Sequence, residues 1–196
     1  MSAGAPLRVA AIVASTREGR LAGAVAAWFL GVAAGRSDLE VETIDLALTP
    51  LPDRLPERHP RRGGYGDDVA PFAARIARAE AFVVITPEYN HGYPGALKNA
   101  LDLVNAEWRA KPVAFVSYGG VAGGVRAVEQ LRQVAVELHM APLRDAVAIP
   151  MARRAFAEGV LAAPGGRIAD DAATMLDRLA WWGRALAAAR GAAPYG

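Results

Sequence analysis

AFVVITPEYNHGYPGALKNALD, residues 81–102, sets a wholly apolar run against a loop of proline, acid, tyrosine, histidine and asparagine, and then against a helical pattern. AFVVIT (81–86) reads as a strand apolar on both faces, being short and rich in β-branched residues. Pro94 suits the first turn of a helix, in which Leu97, Leu101 and Val104 recur at i, i+4 and i+7. A buried strand that empties through a polar loop into a helix is half of a βαβ unit.

The same alternation runs along the chain. LRVAAIVA (7–14) reads as a buried strand, and LAGAVAAWFLGVAA (21–34) as a helix with Leu21, Val25, Trp28 and Val32 on one face. EVETIDL (40–46) alternates like a half-buried strand, and a helix is expected near 68–80. PVAFVS (112–117) is a further apolar strand, and a helix from about Gly124 to His139 leads to a strand in DAVAIP (145–150). Asp170 or Asp171 caps a last helix carrying Met175, Leu176, Leu179, Trp182 and Leu186. Five strands alternating with helices mean crossover connections and a mainly parallel α/β sheet. In such a sheet ligands bind beyond the carboxyl ends of the strands, where strand order reverses. The loops after the first, third and fourth strands, STREGR, PEYNHGYPG and SYGGVAGG, hold the unusual residues.

The 196 residues are 53% hydrophobic, so a single domain over 1–196 with a sizeable core is expected. No apolar stretch approaches the ~18 residues of a membrane span, which points to a soluble, cytoplasmic protein with no membrane partner. Without cysteine there is no disulfide, thiolate metal site or cysteine nucleophile. The net charge is +2, and of the 22 Lys and Arg residues only Lys98 and Lys111 are lysine. Guanidinium-rich chemistry suits small anionic ligands, whereas nucleic acid would call for a basic stripe with interleaved aromatics that scattered arginines do not form.

STREGR (15–20) joins a strand to a helix N-terminus, where free N–H groups and the helix dipole favour an anion. Ser15 and Thr16 add hydroxyls, and Arg17 and Arg20 add charged forks matched to a phosphate; the bland reading is a solvated helix start with two surface arginines. The loop lacks the GxGxxG of a dinucleotide fold and the GK[ST] of a P-loop. In SYGGVAGG (117–124) four glycines allow backbone to approach a flat ligand, and Tyr118 stacks on it or packs in the core. In the PEYN segment Asn90 and Gly92 tolerate positive φ, so Pro87 to Pro94 can form a rigid wall with amides turned toward a heteroaromatic edge. Glu88 has no visible histidine or serine partner for general-base work, and His91, His59 and His139 fit no catalytic pattern, so no catalytic residue is assigned.

Together the three loops resemble those of the NADPH-dependent FMN reductase family, over LRVAAIVASTREGR, PEYNHGYPGALKNALD and KPVAFVSYGGVAGGVRAVEQLR, most closely in the second. The resemblance implies a flavodoxin-like three-layer sandwich with a five-stranded parallel sheet in the order 2-1-3-4-5. It implies FMN as cofactor and NADPH or NADH as co-substrate. Ser15, Thr16, Arg17 and Arg20 then hold the FMN phosphate. Pro87, Glu88, Tyr89 and Asn90, with Gly92 in the same wall, run along the ribityl chain and ring, and Ser117, Tyr118, Gly119 and Gly120 border the ring. Ala14 stands where many relatives carry glycine. FMN carries the redox chemistry, and the acceptor is a small molecule such as a quinone, an azo compound, free flavin or a metal oxyanion. A homodimer, or a pair of dimers, is implied as well; Leu103 and Trp108, off the Leu97–Leu101–Val104 stripe, are expected to be the apolar side chains it covers, unless Trp108 merely covers the start of the next strand.

A flavodoxin-type electron carrier would use the same cofactor without a substrate site, but such carriers resemble one another in acidic surfaces and hydroxyl-rich phosphate loops. A receiver domain would need acids after the first strand and an aspartate after the third, where this chain has Ser15–Arg17 and Pro87–Glu88. The stretch 46–68, with four prolines and four arginines, reads as a solvated loop or as a lid whose arginines meet coenzyme phosphates or a partner subunit.

Overall fold

The computed structural model describes residues 5–159 and 166–195. In chain order its elements are β1 (Leu7–Val13), α1 (Ala22–Ala34), β2 (Leu39–Asp45), α2 (Ala70–Arg78), β3 (Ala81–Pro87), α3 (Gly95–Leu103), β4 (Pro112–Tyr118), α4 (Val125–Glu137), β5 (Ala141–Pro142), β6 (Val147–Ile149), α5 (Ala152–Ala157) and α6 (Arg167–Ala192). The apolar runs become the central strands because they can be buried on both faces: β3 and β4 are buried at every position. All strand pairs are parallel, in the order β2-β1-β3-β4-β5, with β6 also paired to β4. This is the flavodoxin-like order 2-1-3-4-5. The expected fifth strand is divided: Ala141–Pro142 and Val147–Ile149 share the edge beside β4, so the sheet has six strands.

Alternate side chains feed two cores. Val9, Ala11 and Val13 of β1 and Val83 and Ile85 of β3 pack with α1 and α6, while Ala10, Ile12, Phe82 and Val84 pack with α2, α3 and α4. Helix α6 comes so close that a Cβ on Gly183 would stand 2.4 Å from Leu7 Cδ2. Helix α1 fully buries Ala22, Val25, Ala26, Phe29 and Ala33, while Leu21, Trp28 and Val32 of the expected Leu21–Val25–Trp28–Val32 stripe pack against the same core only partly buried. Small alanines let it lie close to the sheet, and Trp28 is left half-buried. Helix α6 starts at Arg167 after Gly166, ahead of the expected aspartate caps, and Trp182 is 42% exposed instead of packed.

Leu103 and Trp108 correct a sequence expectation, because both are core residues with 0% and 1% exposure. The chain leaves α3 through a 3-10 turn at Ala106–Trp108, which folds the indole back over Phe82 and Phe72. Its Nε1–H donates to the carbonyls of Leu101 and Val104 at 3.2 and 3.1 Å. Neither side chain is available to a second subunit. Among the described residues no helix is long and apolar enough to cross a membrane.

Candidate active site

Parallel register brings the carboxyl ends of β1, β3 and β4 to one edge, with Val13 beside Ile85 and Pro87 beside Tyr118. The loops beyond them and the start of α5 enclose a cavity of about 380 Å³. Nine of the thirteen expected site residues line it: Ser15, Arg17, Arg20, Pro87, Glu88, Tyr89, Tyr118, Gly119 and Gly120. Thr16 and Asn90 line an adjoining hollow of about 530 Å³ together with Arg17, Glu88 and Tyr89. Gly92 and Ser117 line neither. A larger surface hollow of about 680 Å³, around Arg132, Arg144 and Asp171, shares no residue with these loops.

In the first loop Ser15 is fully buried, and its hydroxyl lies 2.8 Å from the Tyr89 hydroxyl, tying the β1 loop to the β3 loop. Thr16 and Arg17 are exposed. Arg20 lines the cavity and is also held from behind. Its guanidinium donates in a fork to both oxygens of Asp45, 2.6 Å each, and to the Ser15 carbonyl at 2.7 Å. Burial works to raise the Asp45 carboxyl, but the Arg20 fork and the Ala47 N–H outweigh it and hold the group below the ordinary carboxylate range. Arg20 therefore braces the loop against the end of β2, and Arg17 is the loop's unpaired cation among the described residues. The N-terminus of α1 carries no side-chain cap.

In the second loop Tyr89 and Gly92 exchange backbone hydrogen bonds of 2.8 and 3.0 Å around a tight turn. The two residues of positive φ are Asn90 (49°), as expected, and His91 (69°), which takes the left-handed place expected of Gly92. Glu88, its side chain only 7% exposed, meets Arg126 of α4: Arg126 Nε donates at 2.6 Å, Nη2 pairs with the same oxygen, and the Arg126 N–H donates at 3.2 Å. Burial alone would raise the Glu88 carboxyl; the Arg126 charge and the backbone N–H groups of Arg126 and Ala127 reverse this and lower it. Arg126 Nη1 also donates to His91 Nε2 at 2.8 Å, and Gln130 to the His91 carbonyl at 3.2 Å.

The glycines of the third loop divide their work. Gly123 and Gly124 are left-handed, at φ 61° and 91°, and a Cβ on Gly124 would stand 2.7 Å from Ser117 Cβ. They make the turn, and the Ser117 hydroxyl holds it from behind by donating to the Gly123 carbonyl at 2.9 Å. At Gly119 a Cβ would meet Gly124 N at 3.4 Å, whereas at Gly120 it would meet nothing within 4 Å. Gly120, more than Gly119, keeps the space clear. Tyr118 is packed at 5% exposure, and its buried hydroxyl makes no hydrogen bond of good geometry among the described residues, although the Ser15 hydroxyl lies near enough to act on it. Burial, then the neighbouring Tyr89, pushes its pKa above the ordinary phenol range.

Sequence reasoning missed Asp45, Arg126 and the Met151–Arg154 wall. Met151 and Ala152 dock by donating their N–H groups to the carbonyls of Gly120 and Gly119 at 2.8 and 3.0 Å. Arg154 pairs with Glu158 at 2.8 Å, and Arg153 has no ion-pair partner among the described residues. The arginine-rich stretch 46–68 is anchored on α3 by Asn99 donating to the Pro52 carbonyl at 2.7 Å, and on the 3-10 turn after it by Tyr65 donating to Glu107 at 2.6 Å. None of its arginines lines the cavity.

An open parallel sheet in this order, with its cavity at the switch between β1 and β3, defines a flavodoxin-like α/β protein. The family model described as NADPH-dependent FMN reductase matches residues 7–154. An NAD(P)H-dependent FMN reductase of Schizosaccharomyces pombe is 35% identical over 162 residues, covering 79% of this chain and 78% of its own. The quinone reductase of Escherichia coli K12 is 35% identical over 138 residues, 67% of this chain and 71% of its own. The chain belongs to the NADPH-dependent FMN reductase family. At the level of fold it resembles the flavoenzyme NAD(P)H:(acceptor) oxidoreductase of Paracoccus denitrificans, with TM-score 0.60 and 22% identity over 88% of this chain and 98% of that one.

Proposed function

We propose that this protein is an FMN-dependent NAD(P)H oxidoreductase that delivers reducing equivalents to a small acceptor of the quinone class. The reading rests on its family, and on relatives named for FMN and quinone reduction. The observation that carries it is the inner surface of the 380 Å³ cavity. That surface combines the packed Tyr118 ring, the Gly119–Gly120 backbone, where a Cβ on Gly120 would meet nothing within 4 Å, and Ser15 and Arg17 at one end, with Thr16 in the adjoining hollow. A flat ring with hydrogen-bonding edges and a terminal phosphate fits that set. The reading places the phosphate at Thr16, Arg17 and the uncapped start of α1, the ribityl chain along Glu88 to Asn90, and the ring between Pro87–Tyr89 and Tyr118–Gly120.

Bound FMN would accept hydride from a nicotinamide and pass electrons to the acceptor. The chain's own part is to bind, orient and exclude water. Arg17 supplies charge, the Ser15–Tyr89 contact fixes the spacing of two walls, and Gly120 leaves room beside the ring. Both core clusters share one sheet, which supports one domain. With Leu103 and Trp108 buried, the proposed homodimer rests on other side chains: Met151, which lines the cavity and is 50% exposed, and Val121 and Val125, which follow Gly120 in the chain and are 89% and 45% exposed.

The test is an absorption spectrum of the purified protein, then NADPH and NADH oxidation with a quinone present. Bound FMN and quinone-dependent turnover are expected. Protein that takes up no FMN would overturn the proposal, and flavin-loaded protein without steady coenzyme oxidation would favour an electron carrier.

A further inference from the structure

We propose that Arg126 is a positioning residue for the redox chemistry of this site: it holds the Glu88 carboxylate against α4, cancels its charge, and so raises the reduction potential of FMN bound in the cavity. The inference rests on the FMN reading above and adds what sets the flavin's electron affinity.

Among the described residues Glu88 is the one acid that lines the cavity. Its side chain is 7% exposed, and a carboxylate so placed persists as an anion only with a paired charge and satisfied oxygens. Arg126 supplies both, through its guanidinium and through its own N–H in the first turn of α4. The guanidinium is held in turn, because its remaining edge donates to His91 Nε2 at 2.8 Å while Gln130 fixes the His91 backbone at 3.2 Å. Arg126 itself is 46% exposed and does not line the cavity, so it acts through Glu88.

The other charges at the cavity are Arg17 and Arg153, the Arg20–Asp45 pair and the Arg154–Glu158 pair. The pairs are neutral as units. Removing the Arg126 charge would leave a nearly buried anion in the wall. Reduction adds negative charge to a flavin, and in a site of low effective dielectric a neighbouring anion opposes it far more than in water. The sign follows: an uncompensated Glu88 weakens binding of the reduced cofactor relative to the oxidised one.

The experiment compares Arg126→Gln, Glu88→Gln and the double variant with wild type. The readouts are the midpoint potential of bound FMN at pH 8, by equilibration with a reference dye, and the dissociation constant of oxidised FMN. Arg126→Gln is expected to lower the affinity for reduced relative to oxidised FMN about tenfold, which for a two-electron couple is about 30 mV more negative. Glu88→Gln should move the potential the other way, the double variant should lie near wild type, and Arg126→Lys should recover most of the loss. Opposite signs are a signature that a merely structural clamp would not give. Potentials that do not move, or move in the same direction in both single variants while affinity falls, would overturn the assignment and leave the FMN site standing. A wild type that binds no FMN would overturn the reading of the cavity and this inference with it.

Discussion

Asp45→Asn tests whether Arg20 is a brace or a phosphate ligand. The substitution keeps the shape of the side chain at the end of β2 and removes the charge that receives the Arg20 fork. Each partner has 19% of its side chain exposed. The loss should therefore fall between the ~0.2–1 kcal/mol of an open surface pair and the ~3–5 kcal/mol of a buried pair broken on one side, at about 2 kcal/mol. For a chain of this size, about 2 kcal/mol corresponds to a fall in Tm of roughly 4–8 °C at neutral pH. The sign with pH is fixed by the lowered Asp45 carboxyl. Its contribution is present above the unfolded carboxyl value of about 4 and is lost as pH falls through the lower folded value. The Tm difference between wild type and Asp45→Asn should shrink across that acid range. Thermal unfolding by circular dichroism measures this, with FMN affinity taken on the same samples. If Arg20 is a brace, Arg20→Ala should lower Tm about as much as Asp45→Asn, and should weaken FMN and riboflavin alike. An Arg20→Ala protein of unchanged Tm that has lost FMN but kept riboflavin would refute the reasoning.

Arg17→Ala should weaken FMN by ~10- to 100-fold, as expected for one charge-assisted contact, and riboflavin little; equal losses in calorimetric titrations would remove the phosphate assignment. Gly124→Ala should lower stability by about 1–3 kcal/mol, because φ is 91° and the added Cβ would meet Ser117; denaturant unfolding with an unchanged midpoint would contradict it. Gly120→Val should leave the midpoint nearly unchanged and empty the flavin site, which absorbance after gel filtration would show. Burial, then the Arg190 charge, pushes the Lys111 ammonium down to about 8 from 10.5. The unfolded chain thus holds more protons between those values, and wild type should gain on the order of 3 kcal/mol relative to Lys111→Met as pH rises through that window; parallel stability curves would exclude this.

What the sequence made legible follows from how local each signal is. The cores of β1, β3 and β4 are uninterrupted apolar runs, and the loops after them are read directly from the strand ends. On α1 the bulky Leu21–Val25–Trp28–Val32 stripe marks the packed side only roughly, because Ala22, Ala26 and Ala33 are small enough to lie closest to the sheet and carry no signal by size. Helix α5 spans six residues, too few to display a period. The Arg20–Asp45 and Glu88–Arg126 pairs join residues 25 and 38 positions apart. No spacing rule finds such partners; only the sheet register brings them together. A helical pattern continued past Leu103 puts Trp108 outside, whereas α3 ends at Leu103 and the following turn folds the indole inward.

The divided strand at the far side of the sheet bears on how the protein behaves when crowded with its own copies. An open sheet offers two rims of backbone groups to any passing strand, the usual route to ordered aggregates. Here β5 and β6 present two and three residues, too short a template for a stable pairing. Between them Arg132 donates to the carbonyls of Leu143 and Arg144. At the opposite rim Arg75 donates to the Thr43 carbonyl at 2.7 Å, and Glu40 and Glu42 place acids on β2. With one rim interrupted and the other charged, edge-to-edge pairing between copies is disfavoured, and contact between them is left mainly to side-chain faces.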